Sequence, residues 1–269
     1  MAKFFIDPGH GGESIGASYN GRKEQDDCLR LALAVKALLL TQKGAEVMLS
    51  REDDTNPDLK DRAKKANEWG ADYFISLHRN AYTPNRAQGV EAWCYSKCAV
   101  GGATYNKAEK IVNAVCAATG FVNRGVKLGA PTYADYAVNR YTEMSSCLLE
   151  VGFIDSDADN ALFDEKFKDT ANAIAKSMYE ANGGKWVEKS TKTEEKTQTE
   201  EKVQTEESGL VYLVQVGAFS DKANAEAYAE KVKKAGFDAF VTVKGDMDGD
   251  GKITAADSRD ILRASVGLE

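Results

Sequence analysis

His10 and His78 are the only histidines in a chain of 269 residues, and each stands at the end of a short apolar run. His10 lies in "KFFIDPGHGG" (3–12) and His78 closes "DYFISLH" (72–78). Two carboxylates interrupt apolar patterns in the same way: Glu24, ahead of a helical stripe, and Glu150, inside "SSCLLEVGFIDS". Two neutral imidazoles and one carboxylate are the ligand set of a catalytic zinc site whose fourth position stays open. His10, Glu24 and His78 supply such a set. Bound zinc lowers the pKa of water to about 7 and polarises a carbonyl. A free glutamate then takes the proton and passes it to a leaving nitrogen, and Glu150 fits that role. These residues point to zinc-dependent hydrolysis of an amide or ester. Plainer accounts exist for each carboxylate alone: helix N-terminal polarity stabilises Glu24, and a Lys or Arg elsewhere pairs with Glu150.

The elements that must position these groups alternate. Strands are predicted at 3–7, 46–50, 72–77, 90–95 and 146–151, and helices at 24–42, 57–69, 105–119 and 165–182. Gly44, Gly70, Gly120 and Gly183 stand where helix C-termini are expected. Such alternation predicts an α/β fold, a twisted, mainly parallel sheet covered by helices, followed by a small C-terminal α+β region. Ligands of such sheets bind beyond the carboxyl ends of the strands, where both histidines fall. Cys28, Leu31, Ala32, Val35, Leu38 and Leu39 mark the inner face of the first long helix. Glu24, four residues before Cys28, points along that same face and needs a partner there.

Composition narrows the classes. No segment approaches the roughly 18 apolar residues of a membrane span. The first residues read as a strand, not a signal peptide, so the expectation is synthesis in the cytoplasm and action after release. The net charge of −7 is concentrated in residues 187–208 and 245–269, each with −3, which leaves no basic face for nucleic acid. Cys28, Cys94, Cys98, Cys116 and Cys147 are odd in number and mostly lie within apolar patterns, which reads as buried, reduced thiols.

Taken in order, "IDPGHGG", Glu24 before an apolar helix, "LSREDD", "LKDRAKKAN", "ISLHRNA" and "LLEVGFIDS" resemble the zinc-dependent N-acetylmuramoyl-L-alanine amidases of the amidase-3 type. The resemblance covers residues 3 to about 182. It implies His10, Glu24 and His78 as zinc ligands and Glu150 as the catalytic glutamate. The implied reaction cleaves bacterial peptidoglycan between the lactyl group of N-acetylmuramic acid and L-alanine, as a phage endolysin or a bacterial autolysin does. The rival readings are a zinc peptidase cutting within the peptide stem or cross-bridge, and a wall-binding protein without catalysis. Arg79 stands where the family often has a small residue.

Residues 1–186 therefore read as the catalytic domain. Residues 187–208, with TEEK at 193 and 199 and TEES at 205, read as a charged linker. Residues 209–244, strand–helix–strand in pattern, resemble half of a SPOR repeat, a wall-binding module. So short a piece buries little core alone, so either the following segment completes it or two chains pair through it. In 245–269, Asp246, Asp248, Asp250, the carbonyl of Lys252 and Asp257 occupy calcium-loop positions, with Gly251 at the sharp turn. This last piece resembles a single dockerin-type repeat, and Ca2+ is its expected ligand.

Overall fold

The structure, a computed structural model, describes residues 1–188. The expected linker beyond Glu188, the SPOR-like segment 209–244 and the calcium loop at 245–269 lie outside the described residues.

In chain order the elements are β1 (Ala2–Pro8), β2 (Ser18–Tyr19), β3 (Arg22–Lys23), α1 (Glu24–Leu39), β4 (Ala45–Leu49), α2 (Leu59–Trp69), β5 (Tyr73–Asn80), β6 (Val90–Cys94), α3 (Ala103–Thr119), β7 (Asn123–Leu128), α4 (Ala137–Tyr141), β8 (Ser145–Phe153), α5 (Asp157–Glu165) and α6 (Phe167–Ala181). Six strands form one sheet in the order β4-β1-β5-β8-β6-β7, and β2 pairs with β3 as a separate ribbon. Every pairing in the large sheet is parallel except β6 with β8. The α/β architecture expected from the alternation is the one found.

Strand alternation divides the core into two layers. Phe4, Ile6, Ile75, Leu77, Leu149 and Val151 face α1, α3 and α6, whose stripes include Leu31, Val35, Ile111, Val115, Ile174 and Met178. Phe5, Phe74, Leu148 and Trp93 face the other way, against Ala66 of α2 and Val138 of α4. Burying a side chain the size of Phe or Leu contributes about 1.5–3 kcal/mol, so two such layers hold the sheet rigidly enough to place groups at its ends.

Gly70 and Gly120 take the left-handed conformation at the C-caps of α2 and α3. Gly183, with φ 85°, stands directly after the last turn of α6, and the Gly183 and Gly184 amides donate to the Glu180 and Tyr179 carbonyls to close that helix, whereas Gly44 caps none. Leu40 caps α1, so this helix ends at Leu39 and not at 42, and Asn182 caps α6. Five elements, β2, β3, β7, α4 and α5, carry no earlier expectation. After α6 the chain stays fastened: Trp186 packs on Tyr179, and Val187 exchanges two hydrogen bonds with the side chain of Gln42. Cys28, Cys94 and Cys147 are buried, Cys98 and Cys116 half-buried, and all five are free thiols. Among the described residues, no helix is long and apolar enough to cross a membrane.

Candidate active site

The loop leaving β1 turns sharply. His10 itself has φ 60°, a left-handed conformation that costs a non-glycine residue about 1–2 kcal/mol. Paired hydrogen bonds between Gly11 and Ser14 close the turn after it. Two buried arginines hold the turn from beneath. Arg62 of α2 donates to the carbonyls of Pro8 (2.7 Å), His10 (2.8 Å) and Pro57 (2.8 Å), to Asn56 Oδ1 (2.8 Å) and to Asp7 Oδ1 (2.8 Å). Arg51 donates to the carbonyls of Pro8, Gly9, Gln25 and Asp53. Asp7, 1% exposed, also accepts from Ser50 and Ser76. A buried carboxylate and guanidinium with every polar atom engaged is the condition under which such a pair is tolerated.

Glu24 opens α1 and turns inward as its spacing requires. One carboxylate oxygen, Oε2, lies 3.1 Å from His10 Nε2 and accepts from the Ala17 amide at 2.8 Å. The other, Oε1, lies 2.9 Å from His78 Nδ1 and accepts from the Arg79 amide at 3.1 Å. The two imidazole rings meet edge to face with centroids 4.8 Å apart. Ligand atoms of His10, Glu24 and His78 all lie within 4.8 Å of one another. Burial alone would push the Glu24 carboxyl up. Hydrogen bonds from His10 and His78 outweigh it and hold the group well below the usual carboxylate range.

Two glycines make room for this convergence. A Cβ on Gly9 would stand 2.4 Å from the His78 ring. At Gly16, with φ +69°, one would stand 2.5 Å from Glu24 Oε2 and 2.7 Å from His10.

Glu150 sits in the interior of β8, where its register partner on one side is His78 of β5 and on the other Glu91 of β6. His78, Glu150 and Glu91 thus form a row across three strands on one face, spaced by about 4.8 Å per strand. Glu150 is buried, and its Oε2 has no hydrogen-bond partner. Burial, followed by the negative charges of Glu24 and Glu91, pushes its carboxyl well above the ordinary range. Glu91 moves the opposite way. Burial opposes its ionisation, but Lys127, Arg124 and the Trp93 indole donate to it and hold it low. Neighbouring carboxyls driven apart in this way take different proton states.

All four residues singled out in the sequence, His10, Glu24, His78 and Glu150, are therefore brought to one place. Arg79 is not part of it: its side chain points to the opposite face, onto Asp27, Asn160 and the Phe163 ring at 4.1 Å. Sequence reasoning missed Arg51, Arg62 and Glu91. The signal for Arg62 was its place at the inward position of α2, beside Ala63 and Ala66. For Glu91 it was the alternation of "VEAWC", which sets a charge between buried residues.

A family model described as N-acetylmuramoyl-L-alanine amidase matches residues 4–181, and a SPOR domain model matches residues 208–253. The SPOR match runs past 244, through the first half of the expected calcium loop. A sporulation-specific N-acetylmuramoyl-L-alanine amidase of Bacillus subtilis (strain 168) is 36% identical over 245 residues, spanning 91% of this chain and 86% of that protein. An endolysin of Bacillus phage SPP1 is 32% identical over 252 residues, spanning 90% and 89%. Among solved structures, the catalytic domain of CwlV, an N-acetylmuramoyl-L-alanine amidase from Bacillus (Paenibacillus) polymyxa var. colistinus, superposes with a TM-score of 0.58 at 32% identity. That superposition covers 68% of this chain and 96% of that one.

Proposed function

The chain belongs to the N-acetylmuramoyl-L-alanine amidase family, and we propose that it is a zinc-dependent member cleaving the bond between N-acetylmuramic acid and L-alanine in peptidoglycan. The observation that carries the metal is the convergence of His10, Glu24 and His78. With a cation bound, the proton that His10 Nε2 shares with Glu24 would be displaced, and His10 Nδ1 would keep its own proton toward Ser14 Oγ at 3.2 Å. Neutral imidazoles and an ionised Glu24 thus aim two lone pairs and a negative charge at one point, an arrangement that a divalent cation satisfies. Zinc held there supplies acidification of water and polarisation of the scissile carbonyl.

The rest of the chemistry falls to the chain. Glu150 Oε2, unpartnered and beside His78, takes and returns the proton that ends on the leaving L-alanine nitrogen. The raised pKa of Glu150 favours the acid half of that duty, and Glu24, held ionised, keeps to binding. The SPOR match supports a C-terminal segment that binds wall or pairs chains. The relatives include both a bacterial sporulation amidase and a phage endolysin, and action at the cell wall suits either setting.

The test is hydrolysis of purified walls by the full chain, stripped with a chelator and then restored with zinc. Restored activity should release new N-terminal alanine and intact lactyl-muramic acid. New ends within the stem would mean a peptidase, and activity indifferent to chelation would remove the metal. The expected calcium loop, with Asp246, Asp248, Asp250, Lys252 and Asp257, is a separate proposal tested by calorimetric titration of Ca2+ into wild type and Asp248→Ala.

A further inference from the structure

Beside Glu150, on the face that carries it, lies a cleft of about 550 Å³ whose lining is cationic and aromatic. Its floor is Glu91, and the carboxylate of Glu91 is fully committed: Oε1 accepts from Asn80 and the Trp93 indole, and Oε2 from Arg124 and Lys127. One negative charge therefore faces two positive ones, each about a third exposed. Arg86 at the rim adds a third cation, which forms no ion pair among the described residues. Trp93 and Tyr133, edge to face at 5.7 Å, supply an apolar wall. The cleft thus has spare positive charge and spare N–H donors, Arg124 and Lys127 on β7 two strands from Glu150 and Arg86 on the exposed turn before β6.

We propose that this cleft is the subsite for the peptide side of the substrate, and that Arg86, Arg124 and Lys127 select stems with a free carboxylate two or three residues beyond the scissile amide. This rests on the amidase reading. Glu91 is one strand from Glu150 and β7 is two, or about 5–10 Å at the usual strand spacing. Extended peptide advances about 3.4 Å per residue, which brings the second or third stem residue over the cations. A guanidinium or ammonium bonds a carboxylate roughly twice as strongly as a neutral amide. Amidation of the acid should therefore cost about tenfold in affinity, or about 1.4 kcal/mol.

Two stem groups offer that chemistry, the α-carboxylate of D-isoglutamate and the side-chain carboxylate of diaminopimelate. Three C-terminally amidated tripeptides separate them: L-alanyl-γ-D-glutamyl-L-lysine, the same peptide with D-isoglutamine, and L-alanyl-D-isoglutaminyl-diaminopimelate. Each is titrated into the metal-free full chain, with tryptophan emission as the readout. The peptide lacking both carboxylates should bind about tenfold more weakly than at least one of the others, and the stronger of those identifies the source. Arg86→Gln, which breaks no internal pair, and Lys127→Gln should each narrow the gap. Equal affinities, no binding of any peptide at millimolar concentration, or an unchanged gap in both variants overturns the proposal. These are equilibrium measurements without metal, so their outcome is separate from that of the hydrolysis assay.

Discussion

Arg62→Met isolates what the buried clamp beneath His10 contributes. Arg62 is 1% exposed and loses five hydrogen bonds in this change, while Asp7, equally buried, keeps only Ser50 and Ser76 as donors. Removing one partner of a buried ion pair costs about 3–5 kcal/mol. At about 2–4 °C per kcal/mol for a domain of this size, the melting temperature should fall by about 6–20 °C. Asp7→Asn removes the stranded charge, so the double variant should recover part of the loss, with an interaction energy of up to about 3 kcal/mol. The His10 carbonyl is also released, so zinc affinity, measured by competition with a chelating dye well below the melting temperature, should fall about 10–100-fold. Thermal unfolding of the four proteins of the cycle supplies the energies. A single variant within about 1 kcal/mol of wild type, or strict additivity in the cycle, would refute the account of the pair. Unchanged zinc affinity in a folded Arg62→Met protein would refute its link to the site.

Glu150→Gln should keep zinc, read by metal analysis, while hydrolysis falls about 10²–10⁴-fold; loss of the metal would show that Glu150 belongs to the ligand set. In the metal-free protein the folded state holds the Glu150 proton more tightly than the unfolded state, whose value is near 4.5. Its contribution to stability therefore declines as pH rises above that value, and the melting temperature of Glu150→Gln relative to wild type should climb as pH rises from about 4.5. Gly9→Ala places a methyl on the His78 ring, so zinc binding should be lost with the fold retained by circular dichroism; normal metal content would contradict the packing. A chain ending at Glu188 keeps the Val187–Gln42 contacts and should cleave soluble muropeptides at the full rate. Lysis of whole walls by it should be slower, because the SPOR-matched segment no longer raises effective concentration at the substrate.

The parts of the fold that were legible were those with strong periodicity. The buried strands β1, β5 and β8 read as apolar runs, and α1 read as a stripe whose inward carboxylate had to find partners. The edge strand β7, "NRGVKL", was not legible because solvent on its outer side relaxes the apolar requirement, leaving only Val126 and Leu128 to signal it. The short helix α5 starts at a Ser156 cap but carries just Leu162 and Phe163 toward the core, too few for a period to show. Within the site, the metal-type donors were legible because imidazoles are rare here and sit against apolar runs. The arginines that hold them were not, because an arginine reads as surface until its partners are known, and those partners are carbonyls of a turn 42 to 54 positions away in sequence.

The single antiparallel pairing, β6 against β8, divides labour within the sheet. Because β6 and β7 run opposite to their neighbours, their amino ends meet the carboxyl ends of β1, β5 and β8. The donors that gather at His10, Glu24 and His78 come from β5, α1 and the loop after β1, whereas the cations beside Glu150 come from β7 and the segment that leads into β6. The two sets therefore lie on separate stretches of chain. Residues 81–94 and 123–128 can drift, or be grafted from a relative, while the turn after β1 and the start of α1 stay untouched. If the cleft binds the stem peptide as proposed, recognition is a replaceable cassette on a fixed engine, a layout by which one hydrolytic centre would follow walls whose peptides differ from host to host.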